Sequence, residues 1–158
     1  MKLVTPALFA QLIERAEASP RRRSNFNLHE QADDPVQRLF IAAKRDSYFR
    51  VHRHPDKWEF SIVVRGLFEV LTFDEQGLLT QRMRVGPNAD VCAFELPSNT
   101  YHTWIPLEDD AIFFEVKQGP YDAATAAQFA PWAPAEGAPE VLDFVRKLTT
   151  AQIGDRLA

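Results

Sequence analysis

The sequence predicts an all-β protein: an antiparallel sandwich or barrel of short strands, with an N-terminal helix and a C-terminal extension that ends in a helix. Three observations carry this. Residues 36–119 consist of eight short runs rich in Val, Ile, Phe, Tyr and Trp, spaced roughly ten residues apart, with no helical pattern between them. The chain has 158 residues, of which 46% are hydrophobic and 25% charged, the size and balance of one domain with a real core. The breaks between runs are turn chemistry: Arg65-Gly66, Asp74-Glu75-Gln76-Gly77, Gly86-Pro87-Asn88, Pro97-Ser98-Asn99 and Glu108-Asp109-Asp110.

Before the strands, Thr5 can cap a helix with Pro6 at its first position, and Leu8, Phe9, Leu12 and Ile13 form an apolar stripe. Ser19-Pro20 stops it. Arg21, Arg22 and Arg23 follow and read as a solvated face, with anion binding as the alternative. Asn25-Phe26-Asn27-Leu28-His29 alternates polar and apolar residues as an added strand would. The strand runs are VQRLFIAA, SYFRVHRH, WEFSIVVR, LFEVLTF, LLTQRMRV, DVCAFEL, YHTWIPL and AIFFEVK. Residues 120–138, rich in alanine and proline, are expected to be irregular, with Phe129 and Trp132 as anchors. A last helix is predicted over Pro139–Thr150, with Val141, Leu142, Val145 and Leu148 as its apolar face. The division is thus one domain over 1–158: helix and arm 1–35, barrel 36–119, extension 120–158.

Composition narrows the function. The net charge of −4 offers no general attraction to nucleic acid or anionic lipid. The one cysteine, Cys92 within apolar VCAF, excludes an internal disulfide and reads as a small core residue. No stretch has the pattern of a signal peptide or membrane span, so a cytoplasmic protein is expected. A homodimer is expected too, because an apolar sheet face and two extensions need covering.

Of the four histidines, two sit in His52-Arg53-His54. At strand period both imidazoles point to one face. A turn over Pro55–Trp58 would bring the next strand back alongside, with Glu59 as an oxygen ligand, and His102 could supply a third imidazole from a distant strand. Such a donor set suits one divalent first-row metal (Fe, Zn, Ni or Mn) and leaves positions open for a ligand. The alternative is that His52 and His54 are edge-strand surface residues.

The spacing His52-x-His54-x4-Glu59-x6-Gly66 resembles the first motif of the cupin superfamily, and Pro97-x-Asn99-x-x-His102 resembles the second. The resemblance implies a double-stranded β-helix, the cupin jelly-roll barrel, with His52, His54, Glu59 and His102 as metal ligands. The chain further resembles the WbuC-type cupin-fold metalloproteins, often encoded near surface-polysaccharide genes. SPRRRSNFNLHE, DPVQR, SYFRVHRHPDKWE, FFEVKQGPYD and FAPWAP carry that likeness across most of the chain. Asp46, Asn99 and Pro106 depart from the motifs at two glycine positions and one asparagine position. None is a ligand, and Asn99 can enter the left-handed region its turn requires.

Strand parity extends the site. Arg50 and Tyr48 should share the face of His52 and His54, Ser61 that of Glu59, and Trp104 that of His102. Tyr48, Tyr101 and His29 are candidate acids or bases. Arg50 is read either as a fork for a carboxylate or phosphate or as half of a structural ion pair. Parity leaves open whether Glu115 and Lys117 face the pocket. Three functions follow: a metal-dependent enzyme on a small polar metabolite, with a sugar or sugar nucleotide as the candidate; a metal-dependent binding or sensing module; and a metal-free epimerase-like cupin.

Overall fold

The computed structural model describes residues 1–158. Along the chain lie α1 (Pro6–Ala18), β1 (Arg23–Asn27), β2 (Val36–Ala43), β3 (His52–Arg53), β4 (Glu59–Arg65), β5 (Phe68–Phe73), β6 (Leu79–Val85), β7 (Ala93–Leu96), β8 (Tyr101–Pro106), β9 (Ala111–Gln118), β10 (Gln128–Phe129) and α2 (Val141–Thr150). The strands pair antiparallel in two five-stranded sheets, β1-β2-β9-β4-β7 and β10-β3-β8-β5-β6. Consecutive strands β3, β4 and β5 alternate between the sheets, which places sequence neighbours on facing walls.

Between the sheets, Phe49, Val63, Phe68, Val70, Trp104 and Phe113 form the inner core. Trp104 stacks on Phe113 at 4.0 Å and 9°, and Phe68 stands edge-on to both. The outer faces are covered as well. Thr5 Oγ1 accepts the Leu8 N–H at 3.3 Å and caps α1, whose Leu12 and Ala16 bury against Phe40, Ala42 and Ile112. On the far side, Leu71, Phe73, Tyr101 and Ile105 are covered by Phe144, Leu148 and Trp132 of the extension. This explains why β5 and β8 are buried along their whole length. Arg82 clamps the end of α2, donating to the carbonyls of Leu148, Thr149 and Ala151.

Several expectations change. SYFRVHRH is a strand only at His52–Arg53; residues 47–51 pair with no neighbouring strand. The added strand is β1, in register Phe26↔Phe40 with β2, and His29 lies beyond its end. Residues 120–138 contain the short β10, which pairs with β3. In α2, Phe144 rather than Leu142 is buried; Leu142 is 72% exposed. Cys92 is exposed and lies just before β7, which begins at Ala93. Arg23 is largely buried, its guanidinium over the Phe49 ring and paired with Glu136, so the arginine run is not uniformly a solvated face. No helix is long and apolar enough to cross a membrane.

Candidate metal centre and cavity

The candidate ligand residues come from both walls. His52 on β3 stands opposite His102 on β8 in the same sheet, so the strand distant along the chain supplies its imidazole as a direct register pair. Glu59 opens β4 in the facing sheet, so the Pro55–Trp58 turn crosses between sheets instead of closing a hairpin. His54 sits at that crossing, where its carbonyl accepts the Asn99 N–H at 2.7 Å. Asn99 has φ 65°, the left-handed turn its residue type allows, and Gly66 has φ 72° with Ala111 packed against its α-carbon.

One potential ligand nitrogen from each of His52, His54 and His102 lies within 4.8 Å of the others. Each Nδ1 meets a backbone carbonyl: Arg50 at 2.9 Å for His52, Ala126 at 2.5 Å for His54 and Thr100 at 2.9 Å for His102. With Nδ1 donating, each Nε2 offers a lone pair to the centre. Glu59 Oε2 is 3.0 Å from His54 Nε2 and 3.9 Å from His102 Nε2, while Ser61 Oγ donates to Oε1 at 3.3 Å. Two acceptors 3.0 Å apart hold together only around a cation, either a proton or a metal ion. His102 Nε2 is buried with no hydrogen-bond partner at all. An orphaned nitrogen, two further imidazoles and a carboxylate fit a borderline divalent metal.

Electrostatics agree with that fit. Burial, together with the neighbouring imidazoles, pushes His52 well below its ordinary value, and burial lowers His102 too, so both favour the neutral form that ligates metal. Burial opposes charge on Glu59, but the His54 hydrogen bond, with His102 and Lys117 nearby, outweighs it and holds the carboxyl below the usual carboxylate range.

The cluster lies at the wall of a cavity of about 630 Å³ between the sheets. Of the residues expected there, His29, Arg50 and Trp104 line it together with His52, His54, Glu59 and His102. Ser61 is fully buried and supports Glu59 instead of lining the space. Tyr48 and Tyr101 do not line it. Residues 47–51 are not regular strand, so parity from His52 holds at Arg50 but not at Tyr48, which turns outward to hydrogen-bond Pro134 and pack on Phe144. Tyr101 alternates with His102 and faces the extension, against Trp132. His29 is held by the Arg38 N–H, which its Nδ1 accepts at 3.0 Å. Glu115 and Lys117 do face the cavity, opposite Ser61 and Glu59 in register, and form an ion pair at 2.5 Å. Burial raises the Glu115 carboxyl, with Glu59 adding to the effect. Lys117 keeps its charge against burial through Glu115 and Glu59. Arg23 and Glu136, not expected at the site, also line it; only long-range pairing brings them there.

Two facing antiparallel sheets with this cluster between them define a protein of cupin fold. Solved structures agree. The chain is similar to KdgF from Halomonas sp. (22% identity, 67% of this chain and 86% of that one, TM-score 0.52). It is similar to a cupin 2 conserved barrel domain protein from Rhodopseudomonas palustris (17% identity, 79% and 73% covered, TM-score 0.51). A recombinant oxalate oxidase in complex with glycolate is a third likeness (14% identity, 86% and 69% covered, TM-score 0.55). No curated protein matches the chain in sequence. Residues 4–85 match a domain of unknown function (DUF6016), and the chain belongs to that family.

Proposed function

We propose that this protein binds one divalent transition metal through His52, His54, Glu59 and His102 and presents it to a small polar metabolite. The observation that carries this is the cluster of three imidazole nitrogens within 4.8 Å of one another, one of them an orphan, with the buried Glu59 carboxylate against His54 and His102. Iron, zinc, nickel and manganese all suit the donor set. When bound, such an ion polarises a substrate oxygen or, if redox-active, supports oxygen chemistry. The chain's own residues prepare the site: the carbonyls of Arg50, Thr100 and Ala126 orient the imidazoles, and Trp104 on Phe113 closes off water from the core side. The likeness to WbuC-type proteins extends the proposal to a sugar or sugar nucleotide of polysaccharide biosynthesis in the cytoplasm. Phe49, Trp104, Tyr121 and Phe129 line the cavity and offer faces on which a sugar ring would stack.

A binding or sensing role without turnover is the second reading. It is favoured by the placement of Tyr48 and Tyr101 outside the cavity, which leaves His29 as the remaining acid–base candidate of the three. Replacing His102 by Ala tests the proposal: metal content and the metal-dependent part of thermal stability should fall together. Unchanged metal content in His102→Ala and His52→Ala would overturn the ligand assignment.

A further inference from the structure

The cavity carries four cationic side chains, Arg21, Arg23, Arg50 and Lys117, and four acidic ones, Glu30, Glu59, Glu115 and Glu136. Most are already matched. Arg21 forks onto Glu136 at 2.7 and 2.9 Å, Arg23 reaches the same carboxylate at 2.5 Å, and Lys117 pairs with Glu115. Glu30 lies 3.6 Å from Lys2, and Glu59 faces the imidazoles. Arg50 is the exception, the one cavity cation with no carboxylate within 4.0 Å.

Its guanidinium is nonetheless held in place. Nε donates to the Ala133 carbonyl at 3.1 Å, and the guanidinium carbon sits 4.7 Å from the centre of the Phe129 ring. That contact orients the plane and leaves the Nη1 and Nη2 hydrogens without an acceptor in the protein. A half-buried guanidinium with a free planar fork matches the paired oxygens of a carboxylate or a phosphate. Arg50 adjoins the histidine cluster: the His52 ring lies 6.2 Å from the same Phe129 ring, and the Arg50 carbonyl orients His52 Nδ1. The formal charges of the lining cancel, so a divalent ion among the ligands would leave the cavity positive.

Resting on the metal-site reading above, we infer that the cavity takes a small organic acid whose carboxylate is forked by Arg50 while a hydroxyl or carbonyl oxygen at its other end faces the metal centre. Arg50 is thereby a specificity residue. It selects acids over the neutral compounds that share their carbon skeleton.

The test titrates metal-loaded protein calorimetrically with three pairs: glycolate against ethylene glycol, L-malate against butane-1,2,4-triol, and D-galacturonate against D-galactose. At least one acid should bind saturably and about 10- to 100-fold more tightly than its neutral partner, the range expected for charge-assisted hydrogen bonds. Arg50→Gln should abolish that preference with metal content unchanged, and Arg50→Lys, which keeps the charge but not the fork, should restore only part of it. Acids binding no better than their neutral partners would overturn the inference, as would an Arg50→Gln protein that keeps the preference. Binding of glycerol 3-phosphate alone would assign the fork to phosphate and overturn it too. If the protein takes up no metal, the metal proposal fails by itself; the same pairs on metal-free wild type and Arg50→Gln then decide the carboxylate fork separately.

Discussion

Replacing Glu59 by Gln should separate the carboxylate's role as a ligand from any role in holding the fold together. Glu59 is 2% exposed and faces two imidazole nitrogens whose ring partners are already donating to backbone carbonyls. The amide keeps the shape, removes the charge, and can donate an N–H where the carboxylate could only accept. Metal-free Glu59→Gln should melt somewhat lower than metal-free wild type at pH 7, because a carboxyl held below its usual range stabilises the fold in its ionised form. Its metal affinity should fall at least about 100-fold, since loss of mere supporting contacts to ligands already costs 10- to 100-fold. With metal at about 1,000 times the wild-type dissociation constant, binding adds about 4.1 kcal/mol to wild-type stability, and about 1.4 kcal/mol after a hundredfold loss. The difference of about 2.7 kcal/mol corresponds to about 5–11 °C at this chain length. Melting curves with and without added Mn²⁺, Fe²⁺, Ni²⁺ or Zn²⁺ read both quantities. An unchanged metal-induced rise in Glu59→Gln would refute the assignment of Glu59 as a ligand.

The depressed His52 and His102 give a pH dependence of definite sign. Between their folded values and the ordinary 6.5, the unfolded chain binds more protons, so metal-free protein loses stability as pH falls below about 6.5. Melting from pH 7.5 to 5.5 checks this, and a His52→Gln, His102→Gln double variant should flatten the slope. Trp104→Ala removes the ring stacked on Phe113 and should cost about 3–5 kcal/mol by urea unfolding; a loss under 1 kcal/mol would mean the inner core can collapse around the gap. At φ 65°, Asn99→Ala should cost about 1–2 kcal/mol while Asn99→Gly is tolerated, and equal melting temperatures would contradict the strain.

Much of this architecture is legible in the residues because strand runs and turn chemistry are local properties. The run VQRLFIAA is β2 to the residue, and Asn99 stands in the left-handed turn its type permits. The shared face of Glu59 and Ser61 holds because β4 is regular strand there, both residues buried with Phe60 half-buried between them. Parity misleads where the chain is not regular: residues 47–51 carry strand-forming side chains but lack a strand partner, and Tyr48 turns to the outer core. Tyr101 was readable, since strict alternation beside His102 sends it to the opposite face. The facing of Glu115 and Lys117 was not, because it depends on β9 pairing with β4, a contact between residues more than fifty positions apart. The burial of Phe144 in place of Leu142 likewise follows from how α2 is laid against Tyr48 and Trp132.

Elemental analysis of untagged protein, purified without chelators or a metal-affinity column, tests the central claim most directly. The cluster of His52, His54 and His102, with Glu59 beside two of them, predicts about one transition-metal ion per chain, lost in His102→Ala. Protein that holds no metal, even after incubation with each of the four candidate ions, would contradict it.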